Sequence, residues 1–183
     1  AIIKVAKKLN VPVYYVSTAF LWRPYGNEDG TRNAYEKDKD RAERLLRDSG
    51  LSHSIFRPSV LVGHSQTGAL RNWSGYYLLV KKFLEAVSLA KGENRKIRFP
   101  MLQGVSNMVP VDQASEIISE KVLAQELDIL VYLTNPEPPK AQWVLDTTLD
   151  VLGIRDRFEF LQEGYCAYQK MEKTTDEEIL SAA

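Results

Sequence analysis

The chain has little of what would assign it to several broad classes. It contains one cysteine, Cys166, among 183 residues. That excludes an internal disulfide framework and fits a reducing compartment. Its 24 basic residues are balanced by 24 acidic ones, which removes any electrostatic reason to expect nucleic acid or an anionic membrane. No apolar run is long enough to span a bilayer, and none follows a basic stretch as a secretory signal would. His53 and His64 stand at no metal-ligand spacing from acids or Cys166, so both are expected on the surface or in loops. No glycine-rich strand-to-helix turn, the usual cradle for a nucleotide pyrophosphate, occurs among its ten glycines. The expectation is a cytoplasmic or peripherally attached protein without a transmembrane segment, and its oligomeric state stays open.

What is present is enough for a packed core: 44% of the residues are hydrophobic, and the length suits one domain or one domain with a small lobe. The first ten residues have helical spacing, with Ile2, Ile3, Val5, Ala6 and Leu9 apolar and lysines between. No capping residue precedes that pattern, so the natural chain is expected to begin earlier. Asn10 and Pro12 stop the helix, and Val11 to Val16 reads as a buried strand ending at Ser17-Thr18. Residues 21–33 read as a loop. Ala34 to Asp48 reads as an amphipathic helix, with Gly50 as its stop. Ser52 to Arg57 is a strand closed by Pro58, which Ser59 to Val62 extends, and a polar loop runs from Gly63 to Gly68.

Further along, Tyr76 to Lys91 is an apolar helix, and Asn94 to Pro100 has turn and short-strand character. Asp112 is the expected N-cap of a helix from Gln113 to Gln125. Ile129 to Leu133 is a strand, Trp143 to Leu152 a helix stopped by Gly153, and the remainder polar and aromatic. Met171 to Glu178 reads as a solvated tail, with a short helix from Asp176. Strands alternating with helices argue for a parallel α/β sheet. The expected division is 1–70 for the sheet domain and 71–183 for a substrate lobe, with 109–135 packing back on the sheet.

In parallel sheets ligands lie beyond the carboxyl ends of the strands. Ser17-Thr18 and Arg57-Pro58-Ser59 stand at two such ends. Tyr35 and Lys39 follow on the next helix, four residues apart and so on one face. A phenol ionises only near pH 10, and a positive charge beside it favours the phenolate. Such a phenol can pass a proton to or from a carbonyl oxygen, which a neighbouring hydroxyl can hold. The spacing alone is common: Tyr77 and Lys81 repeat it within the apolar helix, with no Ser-Thr strand end before them. Context distinguishes Tyr35 and Lys39. Gly63-His64-Ser65-Gln66-Thr67 has a threonine where a hydrolase nucleophile turn needs glycine. Arg57 is expected to order a loop, and Cys166 to pack beside Tyr165 and Tyr168.

Tyr-x-x-x-Lys after a Ser-Thr strand end resembles the short-chain dehydrogenases/reductases. Val16 to Phe20, Tyr35 to Arg44 and Ser54 to Gly63 narrow the resemblance to the extended type. So do Thr67-Gly68, Arg98-Phe99-Pro100 and Val109 to Asp112. The nearest branch is that of fatty acyl-CoA reductases and thioester-reductase domains, of the male-sterility type. The resemblance implies the second half of a Rossmann-like sheet with a C-terminal substrate lobe. It implies Tyr35 as acid/base, Lys39 on the nicotinamide ribose, and Thr18, with Ser17 adjacent, on the substrate carbonyl. Pro58, Ser59 and Val60 would line the nicotinamide end by backbone contact. NADP(H), or else NAD(H), would be the cofactor, and a small-molecule or carrier-bound acyl or carbonyl compound the substrate. The strand, glycine turn and helix that open such enzymes have no counterpart in this sequence, so the chain on its own is expected to be inactive. A sugar-nucleotide epimerase or dehydratase uses the same parts and is the alternative within the superfamily. A non-catalytic relative that senses a dinucleotide or binds a partner is the alternative outside catalysis.

Overall fold

The computed structural model describes residues 1–21, 33–71 and 73–181. In chain order its elements are α1 (Ile2–Leu9), β1 (Val13–Val16), α2 (Ala34–Arg47), β2 (His53–Pro58), β3 (Val60–Val62), α3 (Tyr76–Leu89) and β4 (Ile97–Pro100). They continue with β5 (Met108–Pro110), α4 (Val111–Leu123), β6 (Leu130–Leu133), α5 (Ala141–Val151), β7 (Phe158–Leu161), α6 (Gly164–Lys170) and α7 (Thr175–Ser181). These elements form two compact units: residues 1–69 with 108–136, and residues 70–107 with 137–183.

The first unit is α/β, built on a parallel sheet of order β1-β2-β6. Val16 lies opposite Phe56, and Pro58 opposite Leu133, so all three strands end at one edge. Phe56, Val109, Ala114 and Leu133 form its core, with Tyr14, Ile118 and Val131 packed against them. Asn10 ends α1 in the left-handed conformation at φ 52°, which asparagine tolerates better than most residues. Asn33 opens α2, its side chain accepting the Glu36 backbone N–H at 2.9 Å. That satisfies one of the orphan donors of the first turn. Ser59 to Val62 does not simply prolong β2. After the Ser59 N–H donates to the Leu133 carbonyl at 3.0 Å, the chain leaves that sheet and β3 pairs in parallel with β5.

Asp112 does not cap α4. Pro110 holds the cap position, and Asp112, one residue into the helix, reaches back to loop 63–68. Its carboxylate accepts the Ser65 backbone N–H at 2.8 Å and the Ser65 hydroxyl at 2.6 Å. The same loop closes tightly at Gly63, where a Cβ would come within 2.5 Å of the Gly68 carbonyl oxygen.

The second unit pairs β4 with β7 in parallel and packs helices around the pair. Phe83, Ala86, Ala90, Ile97, Phe99, Leu145, Leu149, Phe158 and Leu180 are its buried core. The Phe83 ring meets Phe99 and Phe158 edge-on at centroid distances of 5.0 and 5.1 Å, a favoured aromatic geometry. The expected solvated tail is a structural element instead. Asp176 and Glu177 of α7 are buried and ion-paired to Arg95 at 2.6 Å and Arg98 at 2.8 Å. Cys166 is exposed rather than packed, because Tyr168, two residues on, takes the inward position on the short helix α6. Among the described residues no helix is long and apolar enough to cross a membrane.

Candidate active site

The site lies in the first unit, at the carboxyl edge of its sheet. The backbone N–H of Ser17 continues the ladder by donating to the Phe56 carbonyl at 2.7 Å, which holds Ser17 and Thr18 at the edge, both buried. Thr18 Oγ1 accepts the Phe20 N–H at 3.3 Å. This fixes the hydroxyl at the start of a single 3₁₀ turn, Ala19–Leu21, and leaves its proton available to donate.

Tyr35 sits in the first turn of α2 and is half exposed, at 52%. Lys39, one turn later, donates from Nζ to the Val16 carbonyl at 3.0 Å. The same ammonium lies 5.8 Å from the centre of the Tyr35 ring and 5.2 Å from that of Tyr15, within cation–π range. The expected pair is therefore brought together and tied to the strand end that carries Ser17 and Thr18. Burial pushes the Tyr15 phenol up, and the charges of Glu43 and Tyr35 push the same way.

The α2 stripe has a third member. Glu43, one turn beyond Lys39, is fully buried. Its carboxylate takes a two-pronged hydrogen bond from Arg57, Nε at 2.9 Å and Nη2 at 2.7 Å. Arg47 adds a third contact at 2.7 Å. Burial opposes the charge on Glu43, but the Arg57 hydrogen bonds, the nearby Ser17 hydroxyl and the two guanidinium charges outweigh it and hold the carboxyl below its usual range. Burial likewise opposes the Arg57 charge, yet Glu43 and Tyr132 raise its pKa. Arg57 thus lies within β2 and ties that strand to α2, rather than ordering a loop. Four-residue steps from Tyr35 to Lys39 to Glu43 were the signal in the sequence.

Pro58 is buried at the end of β2, with Ser59 and Val60 half-buried after it. Proline has no N–H, and that of Ser59 is committed to Leu133. What these two can offer a ligand is apolar surface, carbonyls and the Ser59 hydroxyl. Ser17 Oγ and Ser59 Oγ are both buried without a well-formed hydrogen bond, on two adjacent strand ends. Buried hydroxyls of that kind ask for a partner. With the remaining donors of the Lys39 ammonium, they fit the ribose and nicotinamide end of a dinucleotide. No glycine-rich turn for its pyrophosphate exists in the sequence.

The competing constellations lack comparable geometry. Tyr77 packs edge-on against Trp73 and Tyr76 in the second unit, while Lys81 is exposed. Ser65 gives its proton to Asp112, and His64 Nδ1 accepts the Gln66 N–H at 3.2 Å, so no Ser–His relay forms. His53 opens β2, its Nδ1 bonded to the Leu51 carbonyl at 2.8 Å. No cluster of ligating side chains that could hold a metal occurs among the described residues.

Comparison with known proteins bears on the family and the fold. Residues 1–118 match the family model described as Male sterility protein. An aldehyde reductase of Aspergillus flavus is 26% identical over 77% of this chain and 15% of its own length. Among solved structures, the terminal R domain of the myxalamid PKS-NRPS pathway superposes with a TM-score of 0.67. It is 23% identical, over 87% of this chain and 42% of that one. The dTDP-glucose 4,6-dehydratase of Bacillus anthracis, solved with NAD, gives 0.60 at 15% identity over 98% of this chain and 63% of that one. The chain thus spans less than half of the first two relatives. With the family match over most of its length, the chain belongs to the Male sterility protein family, an NAD-binding, thioester-reductase-like branch of the extended short-chain dehydrogenases/reductases.

Proposed function

We propose that this chain carries the proton-transfer and substrate-facing part of an NAD(P)H-dependent reductase acting on a thioester, fatty acyl or aldehyde carbonyl. The observation that carries the reading is the Lys39 ammonium, held by the Val16 carbonyl beside the Tyr35 ring and next to Ser17-Thr18. A bound nicotinamide dinucleotide supplies the hydride for the carbonyl carbon. Thr18 Oγ donates a hydrogen bond to the carbonyl oxygen and orients it. Tyr35 Oη delivers the proton to that oxygen as negative charge develops on it. Lys39 stabilises the phenolate left behind and holds the ribose hydroxyls with its remaining N–H groups. Its bond to Val16 keeps the ammonium from swinging into solvent, so orientation is set before the substrate arrives.

The same three side chains could serve a sugar-nucleotide epimerase. The aldehyde reductase relative favours the reduction of a carbonyl. The test offers the intact protein an acyl-CoA or a long-chain aldehyde with NADPH, and a UDP-sugar with NAD+. Loss of NADPH absorbance with the first two supports the proposal. An isomerised or dehydrated sugar product without net accumulation of NADH overturns it in favour of the epimerase class. Binding of NADPH with no turnover of any of the three overturns it in favour of a non-catalytic sensor.

A further inference from the structure

The Glu43 carboxylate is among the least accessible atoms of the first unit, and the proton-transfer step does not use it. It stands third in a stripe whose first two members are Tyr35 and Lys39. Its partners come from separate elements. Arg57, on β2 at the middle of the sheet, grips both carboxylate oxygens. Arg57 Nη1 continues to the Tyr132 hydroxyl on β6 at 2.5 Å, with the guanidinium carbon 5.4 Å from the Tyr132 ring centre. The Ser17 hydroxyl at the end of β1 lies near enough to help hold the carboxyl ionised. The buried ion pair therefore joins α2 to β2 and, through Tyr132, to β6, and the Ser17 hydroxyl after β1 lies beside it.

We propose that Glu43 and Arg57 are positioning residues. Their two-pronged bond fixes the rotation and height of α2 over the sheet, and so fixes Lys39 Nζ at the Val16 carbonyl beside Tyr35. The role rests on the reading of Tyr35 and Lys39 as the proton-transfer pair. Geometry explains why an ion pair serves here. An apolar pair of the same volume can hold a helix against a sheet as firmly as a buried ion pair, but it permits sliding and rotation. A planar fork on a carboxylate fixes both distance and direction. A lysine one helical turn from such a fork inherits its placement, because helix rise and rotation per residue are fixed.

The test compares wild-type protein with Glu43→Gln, Arg57→Lys and the double variant Glu43→Met/Arg57→Leu, which removes both charges and keeps the volume. Thermal unfolding by circular dichroism identifies which variants fold. The first readout, independent of catalysis, is the rate at which an amine-acylating reagent labels each lysine, measured by mass spectrometry. In every folded variant Lys39 should label at least three-fold faster than in wild type, with Lys4, Lys7 and Lys8 unchanged. Unchanged Lys39 labelling in the folded variants overturns the positioning role, whatever the enzyme does. The second readout is turnover. Tenfold or greater loss of kcat in the double variant, with melting retained and little change in substrate KM, supports the role. Full kcat there, with only melting altered, overturns it. A wild-type protein that turns over no carbonyl substrate overturns the reductase reading alone, and the labelling result still decides the positioning role.

Discussion

Glu177 offers the sharpest stability prediction. Its carboxylate is buried, at 1% exposed, and Arg98 approaches it three ways: Nε at 2.9 Å, Nη2 at 2.8 Å and the backbone N–H at 3.0 Å. Burial alone would raise its pKa, but these bonds, the Thr174 N–H and the Arg98 charge lower it from 4.5 to about 2. One decade of pKa corresponds to about 1.4 kcal/mol, so the ceiling is roughly 3 kcal/mol. Arg98 is 33% exposed, and solvent screening of the pair reduces the figure to about 2 kcal/mol. Because the folded value lies below the unfolded one, this stability is present in full above pH 4.5. It is lost as pH falls through about 2. Glu177→Gln should therefore melt about 4–8 °C below wild type at pH 7. The gap should narrow steadily between pH 4.5 and pH 2. Urea or thermal unfolding at pH 7, 4 and 2.5 measures it. A gap of equal size at pH 7 and pH 2.5, or none at pH 7, would refute the argument.

Phe83→Ala removes the ring that bridges Phe99 and Phe158 and should destabilise the second unit by about 3–5 kcal/mol, read by urea denaturation. Thr18→Val keeps the shape of the side chain and removes the donor. In the intact protein it should lower kcat/KM for the carbonyl substrate by about 10–100-fold, while Thr18→Ser restores most of it. An unchanged kcat/KM in the valine variant would remove Thr18 from the oxygen-binding role.

The candidate site was more legible in the sequence than the parts that hold it. Tyr35, Lys39 and Ser17-Thr18 could be found because strand alternation, a terminal hydroxyl pair and a four-residue helical step are local signals. The cap at Asn33 is equally local, acting three residues away, but the sequence reading leaves Asn33 as the end of loop 21–33. Glu43 is not legible in the sequence on its own, because one acid in a helix as charged as α2 looks like a solvated face. Its partner Arg57 is 14 residues away on a different element. Asp176 and Glu177 are hidden for the same reason: a short acidic stretch near the end of a chain resembles a tail. Only their pairing with Arg95 and Arg98, some 80 residues earlier, makes them part of a core. Strand β7, four residues long between a 3₁₀ turn and α6, is too short for periodicity to declare. It is fixed by pairing with β4.

The chemistry assigned to Tyr35 is tested most directly by Tyr35→Phe in the intact protein, with steady-state reduction of an acyl-CoA or aldehyde measured beside the NADPH dissociation constant. The account predicts that kcat falls by about two to four orders of magnitude, the usual worth of a positioned general acid, while NADPH binds within a few-fold of wild type. Turnover retained at wild-type rate would contradict the assignment of Tyr35, and with it the central claim.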